Sequence, residues 1–145
     1  MSEKIPEEVG IMRFLVGYNG SDVSKAALSL ARTHAELFGA TVFVVTSMGG
    51  GRAEKPEEIA RVTRELEAAE QFLNDKKIAS EIHQLARGMT AGEDLVNFAK
   101  ENEIDQIYVG VEKKSRTQKI IVGSTAQFII LKAHCPVVSV NRGAK

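Results

Sequence analysis

The residues whose types and spacing could do chemistry gather in one stretch, Gly110-Val111-Glu112-Lys113-Lys114-Ser115-Arg116-Thr117-Gln118-Lys119-Ile120-Ile121-Val122-Gly123-Ser124-Thr125. An apolar strand, Ile107-Tyr108-Val109, runs into it, and an apolar helix, expected from Thr125 to Ala133, leaves it. The first N–H groups of a helix have no partner inside the helix, and the helix dipole favours negative charge there. Gly123-Ser124 stands where those groups would point. The chemistry this stretch suits is anion binding, and the leading reading is a phosphate-bearing ligand, a nucleotide before others. The plainer reading makes Ser124 an ordinary helix cap and leaves the basic residues in solvent. For Lys114 and Lys119 the solvated reading is preferred, while Lys113 and Arg116 stand evenly between solvent and phosphate.

Other reactive residue types carry less. Asn19-Gly20-Ser21-Asp22 follows the first apolar run and reads as a turn placed for ligand contact. Cys135, beside Pro136, reads as a small core residue. His34, His83 and His134 have no ligand spacing with one another or with Cys135, so no metal site is expected. No Ser-His-Asp order or activated nucleophile stands out, and no residue is placed as a base for water. An enzyme is therefore not expected, beyond slow hydrolysis of a bound nucleotide at most.

The elements that must position these residues follow from composition and pattern. The chain has 145 residues, enough for one domain with a sizeable core, and 43% of them are hydrophobic. Nineteen basic residues balance 19 acidic ones, which argues against a general nucleic-acid or membrane-surface binder. One cysteine allows no internal disulfide, and with no secretory signal the expected compartment is the cytoplasm. No apolar run reaches the length of a membrane span. Residues 1–10 read as a loose polar leader and 11–145 as a single domain.

Ile11 to Tyr18 and Thr41 to Ser47 are apolar or β-branched runs suited to strands buried on both faces. Between them Ala26, Ala27, Leu30, Ala31, Ala35 and Phe38 keep helical spacing up to Gly39. Pro56 opens a second helix, whose stripe is Ile59, Val62, Leu66, Ala69 and Leu73 and whose glutamates form a solvent face. Ala79 to Ala86 reads as a strand. Thr90 and Glu93 have capping-box spacing ahead of a helix burying Leu95, Val96, Phe98 and Ala99. Ile104 to Val109 and Pro136 to Val140 complete the strands. The alternation predicts an α/β fold with an open parallel sheet and helices on both faces. Ligands of such sheets bind beyond the strands' carboxyl ends, where the winding reverses.

Three groups of residues, in order and spanning roughly Ile11 to Val140, resemble the universal stress protein (UspA-like) domain. They are Asn19-Gly20-Ser21-Asp22-Val23-Ser24 after the first strand, Ile104 to Gly110 at the fourth, and a glycine loop with Gly110, Gly123-Ser124 and a following Cys135-Pro136-Val137. The resemblance implies a five-stranded parallel sheet in the order 3-2-1-4-5, of the adenine nucleotide alpha-hydrolase-like kind. It implies phosphate contacts from Gly110, Lys113, Gly123, Ser124 and Thr125. It further implies adenosine contacts from Gly17, Asn19, Val109, Thr46 and Ser47. Arg116 is a further candidate, from the loop's own basic residues. ATP, with Mg2+ on its phosphates, is the implied ligand, and a homodimer through Val137 to Val140 the implied assembly, acting in stress response. Lys113 stands where the family's loop has its second glycine, and Asn19 where the family usually has aspartate. These two positions motivate the alternative: a dimeric interaction protein of the same fold that does not bind nucleotide.

Overall fold

The computed structural model describes residues 10–49, 55–112, 114–116 and 119–142; of residues 114–116 and 119–121 it describes the backbone. Lys113 and residues 1–9 of the expected leader lie outside the described residues.

The strands are β1 (Arg13–Gly17), β2 (Thr41–Ser47), β3 (Ser80–Leu85), β4 (Gln106–Gly110), β5 (Lys114–Arg116), β6 (Lys119–Ile121) and β7 (Val137–Val140). The helices are α1 (Asp22–Phe38), α2 (Pro56–Asn74), α3 (Ala91–Glu101) and α4 (Ser124–Lys132). Five strands form one sheet in the order β3-β2-β1-β4-β7, and every neighbouring pair is parallel. This is the 3-2-1-4-5 arrangement once the separate β5–β6 pair is set aside. The chain winds outward from β1 to β3, then returns to place β4 on the other side of β1. The winding therefore reverses between β1 and β4.

Alternate residues of the central strands feed two cores. Phe14, Val16, Val42, Val44 and Tyr108 pack with Ala27, Ala31 and Ala35 of α1 and with Val62, Leu66, Ala69 and Leu73 of α2. Leu15, Phe43, Val45, Ile107 and Val109 pack with α3 and α4 on the opposite face. Both faces of the sheet are covered, which explains the near-continuous apolar runs in β1 and β2. Local signals set the helix starts. Ser21 Oγ accepts from Ser24 N–H at the head of α1, and Thr90 with Glu93 forms the full capping box of α3.

Some expected core residues are not buried. Phe38 is 61% exposed, Ile59 42% and Ile11 69%. The helices overrun the sheet: 19 residues of α2 span about 28 Å, whereas the six of β3 span about 20 Å. Phe38 ends α1 and Ile59 lies in the first turn of α2, so a periodic stripe continues past the strands that would cover it. Ile11 likewise precedes β1.

The stretch after β4, expected as an open polar loop, contains the antiparallel pair β5–β6, with Ser115 opposite Ile120. The β-branched Ile120-Ile121 favours extended backbone. The helix that follows begins at Ser124 rather than Thr125, with Gly123 as its cap residue.

Candidate functional site

At the point where the winding reverses, the carboxyl ends of β1 and β4 open onto a cavity of about 230 Å³. Gly17, Tyr18, Asn19, Ser21, Val45, Ser47, Leu95, Val109, Gly110 and Thr125 are among the residues that line it. It adjoins a second space of about 430 Å³, bounded by Asn19, Ser21, Gly110, Glu112, Gly123, Ser124 and Thr125. The two share Asn19, Ser21, Val23, Gly110, Thr125 and Ala126 and so form one crevice. One end is largely apolar; the other is the N-terminus of α4.

That N-terminus differs from the others. α1 and α3 have side-chain caps, and α2, without one, carries Glu57 and Glu58 in its first turn. α4 has no side-chain cap and no acidic residue in its first turn. Its leading N–H groups and positive dipole end stand beside Gly110, Ser124 and Thr125 and have no partner among the described side chains, which is the physical requirement of an anion site. Glu112 is the one acidic side chain among the described residues lining this end.

The glycines divide by role. A Cβ on Gly110 would lie 2.5 Å from the carbonyl carbon and oxygen of Val23 and 2.8 Å from the Ser24 amide nitrogen. Gly110 is thus what lets the end of β4 run against the first turn of α1. A Cβ on Gly123 would meet nothing within 4 Å among the described residues, and φ there is −59°. That glycine is not demanded by the fold.

Asn19 makes a turn and lines the cavity as well: its Oδ1 accepts from Ser21 N–H at 3.0 Å. The turn is tied further by Ser24, whose hydroxyl donates to Ser21 C=O and accepts weakly from Asn19 N–H at 3.4 Å. Of the predicted residues, Gly17, Asn19, Ser47, Val109, Gly110, Gly123, Ser124 and Thr125 all line the crevice. Thr46 does not line it. It is buried and its hydroxyl donates to Tyr18 C=O at 2.7 Å. Lys113 lies outside the described residues, and of Arg116 only the backbone, in β5, is described.

Sequence reasoning missed the network behind Ser47. Ser47 Oγ donates to Asp94 Oδ2 at 2.7 Å, and Arg87 Nε donates to Asp94 Oδ1 at 2.6 Å. Asp94 is fully buried. Arg87 also meets the Asp94 main-chain oxygen at 3.3 Å and Glu101 Oε1 at 2.9 Å. Its hydrogen bonds to Glu101 first and Asp94 second push the guanidinium further above its ordinary range, so it stays charged. Ser47, Arg87 and Asp94 come from three places in the sequence, and no spacing signals their meeting. Among the described residues no group of three His, Cys, Asp or Glu side chains could hold a metal ion. No described helix is long and apolar enough to cross a membrane.

Known proteins agree with this arrangement. The universal stress protein family profile matches residues 10–141. A universal stress protein of Methanocaldococcus jannaschii is 32% identical over 143 residues, covering 92% of this chain and 84% of the relative. The structure of a universal stress protein from Archaeoglobus fulgidus superposes with a TM-score of 0.80 at 31% identity, over 92% of this chain and 96% of that one. A universal stress protein structure from the same organism, in complex with dAMP, gives a TM-score of 0.75 at 30% identity, over 91% and 98% of the two chains. With the sheet order, the crevice at its winding reversal and these matches together, the chain belongs to the universal stress protein family.

Proposed function

We propose that this protein is a nucleotide-binding module that holds an adenine nucleotide in the crevice between β1 and β4, with the phosphates at the N-terminus of α4. The observation that carries the reading is the uncapped start of α4 facing a crevice. A helix end without partners is costly when dry and favourable when an anion meets it. The dAMP complex of the Archaeoglobus fulgidus relative supports the same ligand class. ATP is the nucleotide we assign, with Mg2+ arriving on its phosphates. Glu112, which lines this end, would offer its carboxylate to that cation or its water, whereas a bare triphosphate would meet it as a like charge. The protein's part is to bind and orient, through the main-chain N–H groups of Ser124 and Thr125 and the polar groups of Asn19 and Ser21.

The test is thermal unfolding with Mg-ATP, ATP with EDTA, and AMP. A ligand at a hundred times its dissociation constant adds about 2.7 kcal/mol, which raises Tm by about 5–10 °C for a domain of this size. Gly123→Val, at a position where an added Cβ meets no described atom within 4 Å, should abolish the rise by filling the space before Ser124. No rise with any nucleotide at millimolar concentration would return the reading to an interaction protein without a nucleotide.

We further propose a homodimer through β7, whose outer side is an open edge of the sheet. Ile107 N–H bonds Pro136 C=O and Val111 N–H bonds Val140 C=O. Bonding groups alternate along a parallel pair, so Ser139 presents its N–H outward. Ser139→Pro should halve the mass seen by light scattering, to the 15.8 kDa of one chain. An unchanged mass would place any dimer contact elsewhere.

A further inference from the structure

We propose that Asp94 holds the Ser47 hydroxyl as a hydrogen-bond acceptor toward the ligand, so that the site selects a purine with a 6-amino group over one with a 6-oxo group. The assignment rests on the nucleotide reading above and adds to it the side chains that read the base. A serine hydroxyl has one proton and two lone pairs. Here the proton is committed to Asp94 Oδ2 at 2.7 Å. The carboxylate does not turn, because it is fully buried and its other oxygen takes Arg87 Nε at 2.6 Å. What Ser47 has left for the cavity is lone pairs.

The position of Ser47 gives this polarity a target. Ser47 lies with Val45, Ala91 and Leu95 in the part of the crevice that is not shared with the α4 end. With phosphates at α4, the flat apolar base falls against these side chains. Three other hydroxyls in this region are engaged or point elsewhere. Ser24, 3% exposed, gives its proton to Ser21 C=O at 3.0 Å. Thr46 gives its proton to Tyr18 C=O, and the Tyr18 side chain packs in the core on the other face of the sheet. Ser47 Oγ is therefore the side-chain group placed to meet the edge of the base. An amino group there donates to it; a carbonyl there sets lone pairs against lone pairs. Asp94 is a positioning residue: it acts through Ser47 without touching the ligand.

The test is calorimetric titration of AMP and IMP into wild type, Ser47→Ala and Asp94→Asn. Wild type should bind AMP about tenfold more tightly than IMP, the weight of one hydrogen bond. Ser47→Ala should weaken AMP and bring the two nucleotides within about threefold. In Asp94→Asn, Arg87 keeps the amide oxygen on its own side, and the amide N–H faces Ser47. The serine proton is then free, and the preference should move toward IMP. A structural role for Asp94 alone would weaken both nucleotides without changing their ratio. Should Asp94→Asn fail to fold, Ser47→Ala decides. Equal binding of AMP and IMP by wild type, or a ratio unchanged in Ser47→Ala, overturns the assignment of Ser47 while leaving nucleotide binding intact. Failure of both nucleotides to bind wild type overturns the nucleotide reading itself, and this assignment with it.

Discussion

Replacing Gly110 by alanine separates the demands of folding from those of binding. The added Cβ would sit 2.5 Å from backbone atoms of Val23, and ordinary contact begins near 3.4 Å. The end of β4 and the first turn of α1 must therefore part by about 0.9 Å, the difference of those two distances. Neither side can give cheaply. Val23 belongs to a helix held by the Ser21 cap, and β4 is an interior strand paired on both sides. Overpacking of this kind costs about 1–3 kcal/mol, and contact with backbone on both sides points to the upper end. At roughly 4 °C per kcal/mol for a domain of this size, Tm should fall by about 10 °C. Urea unfolding followed by circular dichroism gives the free energy directly. Gly123→Ala is the matched control, with no atom of a described residue within 4 Å of the new methyl, and should stay within about 0.5 kcal/mol of wild type. If Gly110→Ala unfolds with wild type, or Gly123→Ala falls as far as Gly110→Ala, the division of roles between the two glycines is wrong.

Thr90→Ala removes the hydroxyl that accepts from Glu93 N–H; it should cost about 1 kcal/mol in urea unfolding, without changing any nucleotide preference. Both tyrosines have raised pKa values, Tyr18 through burial and then the charge of Glu65, Tyr108 through burial against the opposing Gln106 hydrogen bond. The folded protein thus keeps protons that the unfolded chain releases from about pH 10, so this stability is intact below that pH and is lost as pH rises beyond it. Alkaline absorbance titration should show phenolate appearing later than in free tyrosine and together with unfolding. Burial first, and then the charge of Asp105, push the Cys135 thiol up; alkylation by iodoacetamide at pH 8 should be slow in the native protein and accelerate in urea.

What the sequence carried was whatever a local rule can carry. β2 runs from Thr41 to Ser47 as expected because its β-branched run is bounded on both sides. The Thr90–Glu93 capping box is a spacing, and it forms as spaced. The alternation of elements led to parallel strands buried on both faces, and the resemblance supplied their order. The failures share one cause, since a pattern along the sequence does not know what lies across from it. Phe38 and Ile59 continue their stripes past the end of the sheet. Thr46 sits one residue from Ser47, yet strand alternation gives its hydroxyl to Tyr18 C=O. Asp94 lies in the first turn of a helix, where an acid is common, and only the fold brings Ser47 and Arg87 to it. The short strands β5 and β6 were hidden by the charges between Lys113 and Lys119, which read as solvated loop.

The bare start of α4 has a consequence for the protein as a working object. Every other described helix starts with a side-chain cap or with acidic residues of its own, whereas α4 carries its open amides as a standing deficit. Under the function proposed here the missing cap is a solute. The firmness of α4, and through Ala126 and Ile129 of the core beneath it, then follows the concentration of nucleotide around the molecule. Such a protein registers an energy supply in its own rigidity: α4 amides should exchange with solvent quickly in a depleted cell and slowly in a well-fed one, before any partner is met.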